Sequence, residues 1–143
     1  MIEITTSAID IGAVANSVLT PESGGMNIFI GMTRNHSHGK QVRVLEYEAY
    51  APMALKTMER LSQQARETWD VRETSIVHRI GRVPIGEASV VIAVSSPHRD
   101  ESFKACRFLI DELKRIVPIW KREYFEDGTV EWSRQSHEQV ESQ

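Results

Sequence analysis

The chain has 143 residues, 41% hydrophobic and 26% charged, with a net charge of −3 at pH 7; this supports one domain with a real core and excludes a disordered chain. The charge balance provides no general basic field for nucleic acid, so an anion site would have to be a local cluster. No run approaches the ~18 apolar residues of a membrane span, no charged-then-apolar leader opens the chain, and the lone Cys106 excludes a disulfide framework or Cys-rich zinc site, so a cytoplasmic location is expected.

Ile2 to Thr6 alternates weakly, as a strand does. Asp10 to Leu19 reads as a short helix with Ile11, Val14 and Val18 on one face, and Thr20 to Gly25 as a loop. Met26 to Thr33 predicts an apolar strand. Asn35 to Lys40 is polar and reads as an exposed, mobile loop. Val42 to Ala49 alternates, Leu45 and Tyr47 facing one way and Glu46 and Glu48 the other. Pro52 suits the first turn of a helix that runs to about Trp69 and buries Met53, Leu55, Met58, Leu61 and Ala65. Ser75 to Ile80 is a further strand, punctuated by Gly81 and Gly86. Ala88 to Ser95 is nearly all apolar, which predicts a central strand buried on both faces. A helix from about Asp100 to Val117 buries Phe103, Cys106, Ile110, Leu113 and Val117. Pro118 ends it, and a hairpin follows: a strand, a turn at Glu126-Asp127-Gly128-Thr129, and a return over Val130 to Trp132. The polar tail from about 133 is expected to fray. The pattern is α+β, with mixed or antiparallel sheet and one domain over 1–143.

Pro118 to Glu123 is the most informative stretch. Lys114 closes a helix, and Lys121 stands seven residues later on a strand. The two can converge on one pocket. Lys114 alone is also explained by the helix dipole, which favours cations at a C-terminus. Strand alternation puts Trp120 and Arg122 on one side and Lys121 on the other, where a buried lysine needs an anionic partner or a lowered pKa. Ser96-Pro97-His98-Arg99-Asp100 marks a strand-to-helix junction. It reads either as an anion clamp of backbone N–H groups aided by Arg99, or as a surface arginine beside a cap made by Ser96 or Asp100. Thr33-Arg34-Asn35 ends an apolar strand beside a polar loop, a common place for ligand contacts. His36 and His38 lack further metal ligands nearby in sequence, so no metal is expected. His78 in an apolar strand reads as a satisfied structural histidine, Glu46 and Glu48 as a solvated face, and Cys106 as a buried, inert thiol. No nucleophilic triad, P-loop or dinucleotide fingerprint is present.

Several stretches together carry a resemblance: Gly31-Met32-Thr33-Arg34-Asn35, Leu45 to Tyr50 with Met53, His78-Arg79-Ile80-Gly81, Ile85-Gly86-Glu87, Ser96 to Arg99, Asp111 to Lys114, and Pro118 to Glu123 with Trp132. In this order the chain resembles the large, catalytic subunit family of molybdopterin synthase. The resemblance implies an α/β-hammerhead-type domain with an added antiparallel β subdomain. It implies a homodimer at the centre of a heterotetramer, each copy binding a small ubiquitin-like sulfur-carrier subunit whose Gly-Gly C-terminus bears a thiocarboxylate. It implies transfer of two sulfurs to cyclic pyranopterin monophosphate, giving the dithiolene of molybdopterin, with no cofactor, nucleic acid or membrane involved. By this resemblance Lys114 and Lys121 match the catalytic lysines, and Thr33, Arg34, His98, Arg99, Arg122 and Glu123 join them in substrate binding. Residue 32 is Met where the family usually has a lysine. Arg134 is a weak match for an arginine that a second copy supplies. A non-catalytic module that binds a phosphorylated pterin or nucleotide is the competing reading; it gives the two lysines no separate duties. A scaffold that engages a ubiquitin-like tail without chemistry is a third.

Overall fold

The computed structural model describes residues 1–134. The chain forms β1 (Ile2–Thr5), α1 (Ile11–Ser17), β2 (Gly25–Met32), β3 (His36–Ser37), β4 (Lys40–Ala49), α2 (Ala51–Thr68), β5 (Glu73–Arg79), β6 (Gly81–Pro84), β7 (Ala88–Ser96), α3 (Arg99–Ile116), β8 (Ile119–Phe125) and β9 (Val130–Arg134). The fold is α+β, as the sequence pattern indicates. One sheet has the order β1-β5-β7-β2, parallel between β1 and β5 and antiparallel elsewhere. The second, antiparallel sheet has the order β3-β4-β8-β9, with β6 also on β4.

The apolar run in β7 is central because both of its faces are covered. Val90, Ile92 and Val94 join the main core with Leu109 and Leu113 of α3 and Met58 and Leu61 of α2. Val91 and Ala93 meet Val14 and Val18 of α1 on the other face. Helices on both sides of this strand explain its unbroken hydrophobicity.

Two helical positions differ from the periodic reading. Met53 and Phe103 are exposed, while Ala54 and Ala105 are fully buried. The rest of each stripe holds, with Met58, Leu61, Ala65, Cys106, Leu113 and Val117 buried, so Met53 and Phe103 fall outside it near the helix starts and the small Ala54 and Ala105 face the core there. The polar stretch 35–40 is a tight hairpin: β3 pairs with β4, and His38 and Gly39 turn the chain with φ of 52° and 74°. Two consecutive positive φ values match the right-handed twist of a two-residue hairpin, which polarity alone does not reveal. Ser133 and Arg134 continue β9 opposite Lys121 and Trp120, so the chain stays paired past the expected fraying point. The rest of the expected tail, 135–143, lies outside the described residues.

Candidate active site

The site forms where the second sheet meets the helix face of the first. Lys121 shows why strand geometry matters here. β8 is buried at every second residue, Ile119, Lys121, Glu123 and Phe125, and more open at those between. Lys121 and Glu123 therefore point inward, only 7% and 3% exposed. Across the sheet they pair with Tyr47 and Leu45 of β4. From the other side, the last turn of α3 brings Lys114. Pro118 makes this possible by ending the helix at Val117, whose extended ψ of 130° turns the chain back as β8.

A β-bulge completes the wall. Gly31 pairs with Val90, but Met32 pairs with Ala88, so Ser89 is the extra residue. Its hydroxyl donates to the Gly31 carbonyl at 3.3 Å. A Cβ at Gly31 would lie 2.7 Å from Val90 Cγ1, so only glycine allows this close approach. The bulge redirects the end of β2, and Arg34 reaches the cavity. Thr33 is held by its N–H to the Glu87 carbonyl at 3.1 Å, and its buried hydroxyl has no partner among the described residues.

The resulting cavity has a volume of about 200 Å³; Arg34, Tyr47, Lys114, Lys121 and Glu123 line it with His36 and Ser89. Arg34 and Lys114 also line an adjoining groove of about 590 Å³, walled by Ile28, Phe29, Phe103 and Ile110. A largely apolar groove that shares Arg34 and Lys114 with a charged cavity has the shape to take a flexible chain whose end is anionic.

Not all expected site residues converge. His98 and Arg99 begin α3, whereas Lys114 is near its end; the rise of 1.5 Å per residue puts them about 22 Å apart. His98 is the N-cap and makes no side-chain capping bond, so neither Ser96 nor Asp100 caps the helix. Ser96 instead donates to the His98 carbonyl at 2.5 Å. Asp100 and Glu101 in the first turn already complement the helix dipole. Arg122 points away from Lys121: its guanidinium stacks 4.0 Å from the Trp132 ring centroid and donates to Glu46 at 3.3 Å.

Burial governs the other titratable groups. Cys106 is pushed up to about 11, chiefly by desolvation. His78 is lowered to about 4, first by burial, against a backbone hydrogen bond that raises it, with the Lys114 charge lowering it further. Among the described residues, His38, Glu123 and Glu131 have ligand atoms within 4.8 Å of one another. The sequence hid this convergence because it brings the β3–β4 turn to two strands of the β8–β9 hairpin; Glu123 and Glu131 are cross-strand partners. His38 and Glu131 are exposed, and Lys121 shares the Glu123 face, which opposes a cation there.

An α+β fold that holds two lysines and an arginine around one small cavity has the layout of a small-molecule site able to bind an anion. A family model described as MoaE protein matches residues 4–116, and the chain belongs to that family. Proteins named "Molybdopterin synthase catalytic subunit" are similar to it: one from Rattus norvegicus is 45% identical over 134 residues, 94% of this chain and 67% of that protein. Another, from Aedes aegypti and named "Molybdopterin synthase catalytic subunit 1", is 47% identical over 128 residues, 89% of this chain and 83% of that protein. The crystal structure of molybdopterin synthase from Staphylococcus aureus superimposes with a TM-score of 0.88 at 38% identity, covering 92% of this chain and 96% of that one. The role is that of a catalytic subunit in molybdenum cofactor biosynthesis.

Proposed function

We propose that this chain transfers sulfur from the C-terminal thiocarboxylate of a small ubiquitin-like carrier subunit to cyclic pyranopterin monophosphate, forming the dithiolene of molybdopterin. The observation that carries this reading is the convergence of Lys114 and Lys121, from a helix end and a strand, on one cavity beside Arg34. The adjoining apolar groove would take the carrier's extended tail and deliver its sulfur to that cavity. Lys114, shared by groove and cavity, would hold the terminal thiocarboxylate. Lys121 would polarise the reacting centre or donate a proton. The sulfur arrives already activated, which suits a chain whose lone thiol is buried and held protonated.

Arg34 supplies one contact for the substrate phosphate. His98 and Arg99 are about 22 Å along α3 from Lys114, so in this reading they serve the cavity of a second copy in the homodimer. Single-turnover conversion of cyclic pyranopterin monophosphate by the protein plus thiocarboxylated carrier tests both parts. Wild type should form the dithiolene and Lys121→Ala should not. Mixing Lys121→Ala with Arg99→Ala subunits should restore activity in the hybrid dimers, whose unmutated residues complete one cavity. No product from wild type, with the carrier active on a control synthase, would overturn the transfer reading. Failure of the hybrids alone would overturn only the shared cavity.

A further inference from the structure

His78 is the only titratable side chain among the described residues with no solvent exposure at all. It lies on β5, between Ile4 of β1 and Val90 of β7. Its ring meets Tyr47 of β4 edge-on, with centroids 5.1 Å apart and planes at 71°. Nδ1 is 2.8 Å from the Arg79 carbonyl oxygen. That oxygen can only accept, so Nδ1 carries the proton. In a neutral ring Nε2 is then a bare acceptor. It is the ring corner furthest along the side chain from its own backbone.

The charged and titratable groups around the ring are few. β4 presents Tyr47, and α3 presents Lys114, whose positive charge is felt at the ring. β1 and β7 present the apolar Ile4 and Val90 as its cross-strand neighbours. Lys121 stands opposite Tyr47, with Glu123 two residues further along β8. Tyr47, Val90, Lys114 and Lys121 all line the cavity, and His78 touches the first and pairs with the second, so it lies against one wall of the cavity. A protonated ring there would add a third positive charge to two lysines. A neutral one offers a lone pair, which favours the charged form of a nearby amine.

We propose that His78 is a positioning residue for Lys114, kept in its Nδ1–H form so that Nε2 turns a lone pair, and not a second positive charge, toward the lysine side of the cavity. The role rests on the sulfur-transfer reading, but its test does not. The test follows the titration of Lys114 by NMR of the lysine side-chain amines in the free full-length protein, assigned with Lys114→Arg. His78→Asn keeps a donor to the Arg79 carbonyl and loses the far acceptor; His78→Gln places an amide oxygen near the Nε2 position. The Lys114 midpoint should fall by about one pH unit in His78→Asn, a tenfold change in protonation, and recover in His78→Gln. An unmoved midpoint in a folded His78→Asn would overturn the proposal, since a purely structural histidine changes stability and not this titration. If neither variant folds, the ring nitrogen shifts of wild type decide it: protonated Nδ1 and bare Nε2 are expected at neutral pH, and a protonated Nε2 overturns the assignment. Loss of sulfur transfer without a shift in Lys114 would count against this role alone, and a shift without any transfer against the reaction alone.

Discussion

Lys121 and Tyr47 stand directly opposite each other, β8 against β4, and both are almost fully buried on the same face of the sheet. A lysine in that position is costly to the fold unless something uses its charge. Lys121→Met keeps the length of the side chain and removes the ammonium. Single-turnover sulfur transfer should fall by about 10²-fold or more, the scale of a lost acid–base group. The denaturation midpoint should stay level or rise. Full activity in this variant would remove Lys121 from the chemistry.

Cys106 should be dispensable. It lines the apolar groove but is buried, and its thiol is pushed up to about 11. At pH 7.5 less than about one thiolate in a thousand is then present. Cys106→Ala should retain transfer, and iodoacetamide should leave the native thiol largely unmodified over the time of an assay. Abolished transfer in Cys106→Ala, in a protein that still folds, would point to a persulfide on the chain itself.

Acid should weaken the fold through His78. Its folded pKa is depressed to about 4 from the ordinary 6.5. Below pH 6.5 the unfolded chain takes up a proton that the folded chain refuses. The stability contributed by the neutral ring is therefore complete above 6.5 and is lost as pH falls through 4. The loss amounts to about 3 kcal/mol at most. Urea denaturation at pH 7.5 and pH 4 should show wild type losing more stability than His78→Gln. Equal losses would mean that another group carries the acid sensitivity.

Gly24→Ala should disturb the start of α3. An added Cβ would sit 2.5 Å from the Pro97 carbonyl oxygen, and Gly24 N–H already donates to the Ser96 carbonyl at 3.0 Å. The backbone must shift, at a cost of about 1–3 kcal/mol. Because the displaced segment runs into His98 and Arg99, the KM for the pterin substrate should rise more than kcat falls. An unchanged KM would separate this junction from substrate binding.

The inward direction of Lys121 was legible in the sequence, because alternation along β8 needs only a count of residues and the burial of Ile119 and Phe125 fixes which face is inside. The same count sets Arg122 on the outer face; only the family resemblance placed it with the site. The exposure of Met53 and Phe103 was not legible, since helical spacing places a stripe, which Met58, Leu61, Cys106 and Leu113 follow, but not where its edges leave the core near the helix starts. Tyr47 and His78 lie on strands of different sheets, and their contact exists only once those sheets meet. The distance between Arg99 and Lys114 was implicit in the helix, yet a list of matching residues carries no lengths.

The Pro118 break has a consequence for which changes this chain can tolerate. Lys114 is set by a cycle of 3.6 residues and Lys121 by a cycle of 2, and Pro118 marks where one gives way to the other. One residue inserted just after Pro118 would exchange the faces of β8, sending Trp120 and Arg122 inward and both cavity residues out to solvent. Substitutions in this segment can be graded, but a change in its length cannot: the two lysines stay in step only at their present separation, or at one that restores the parity of the strand.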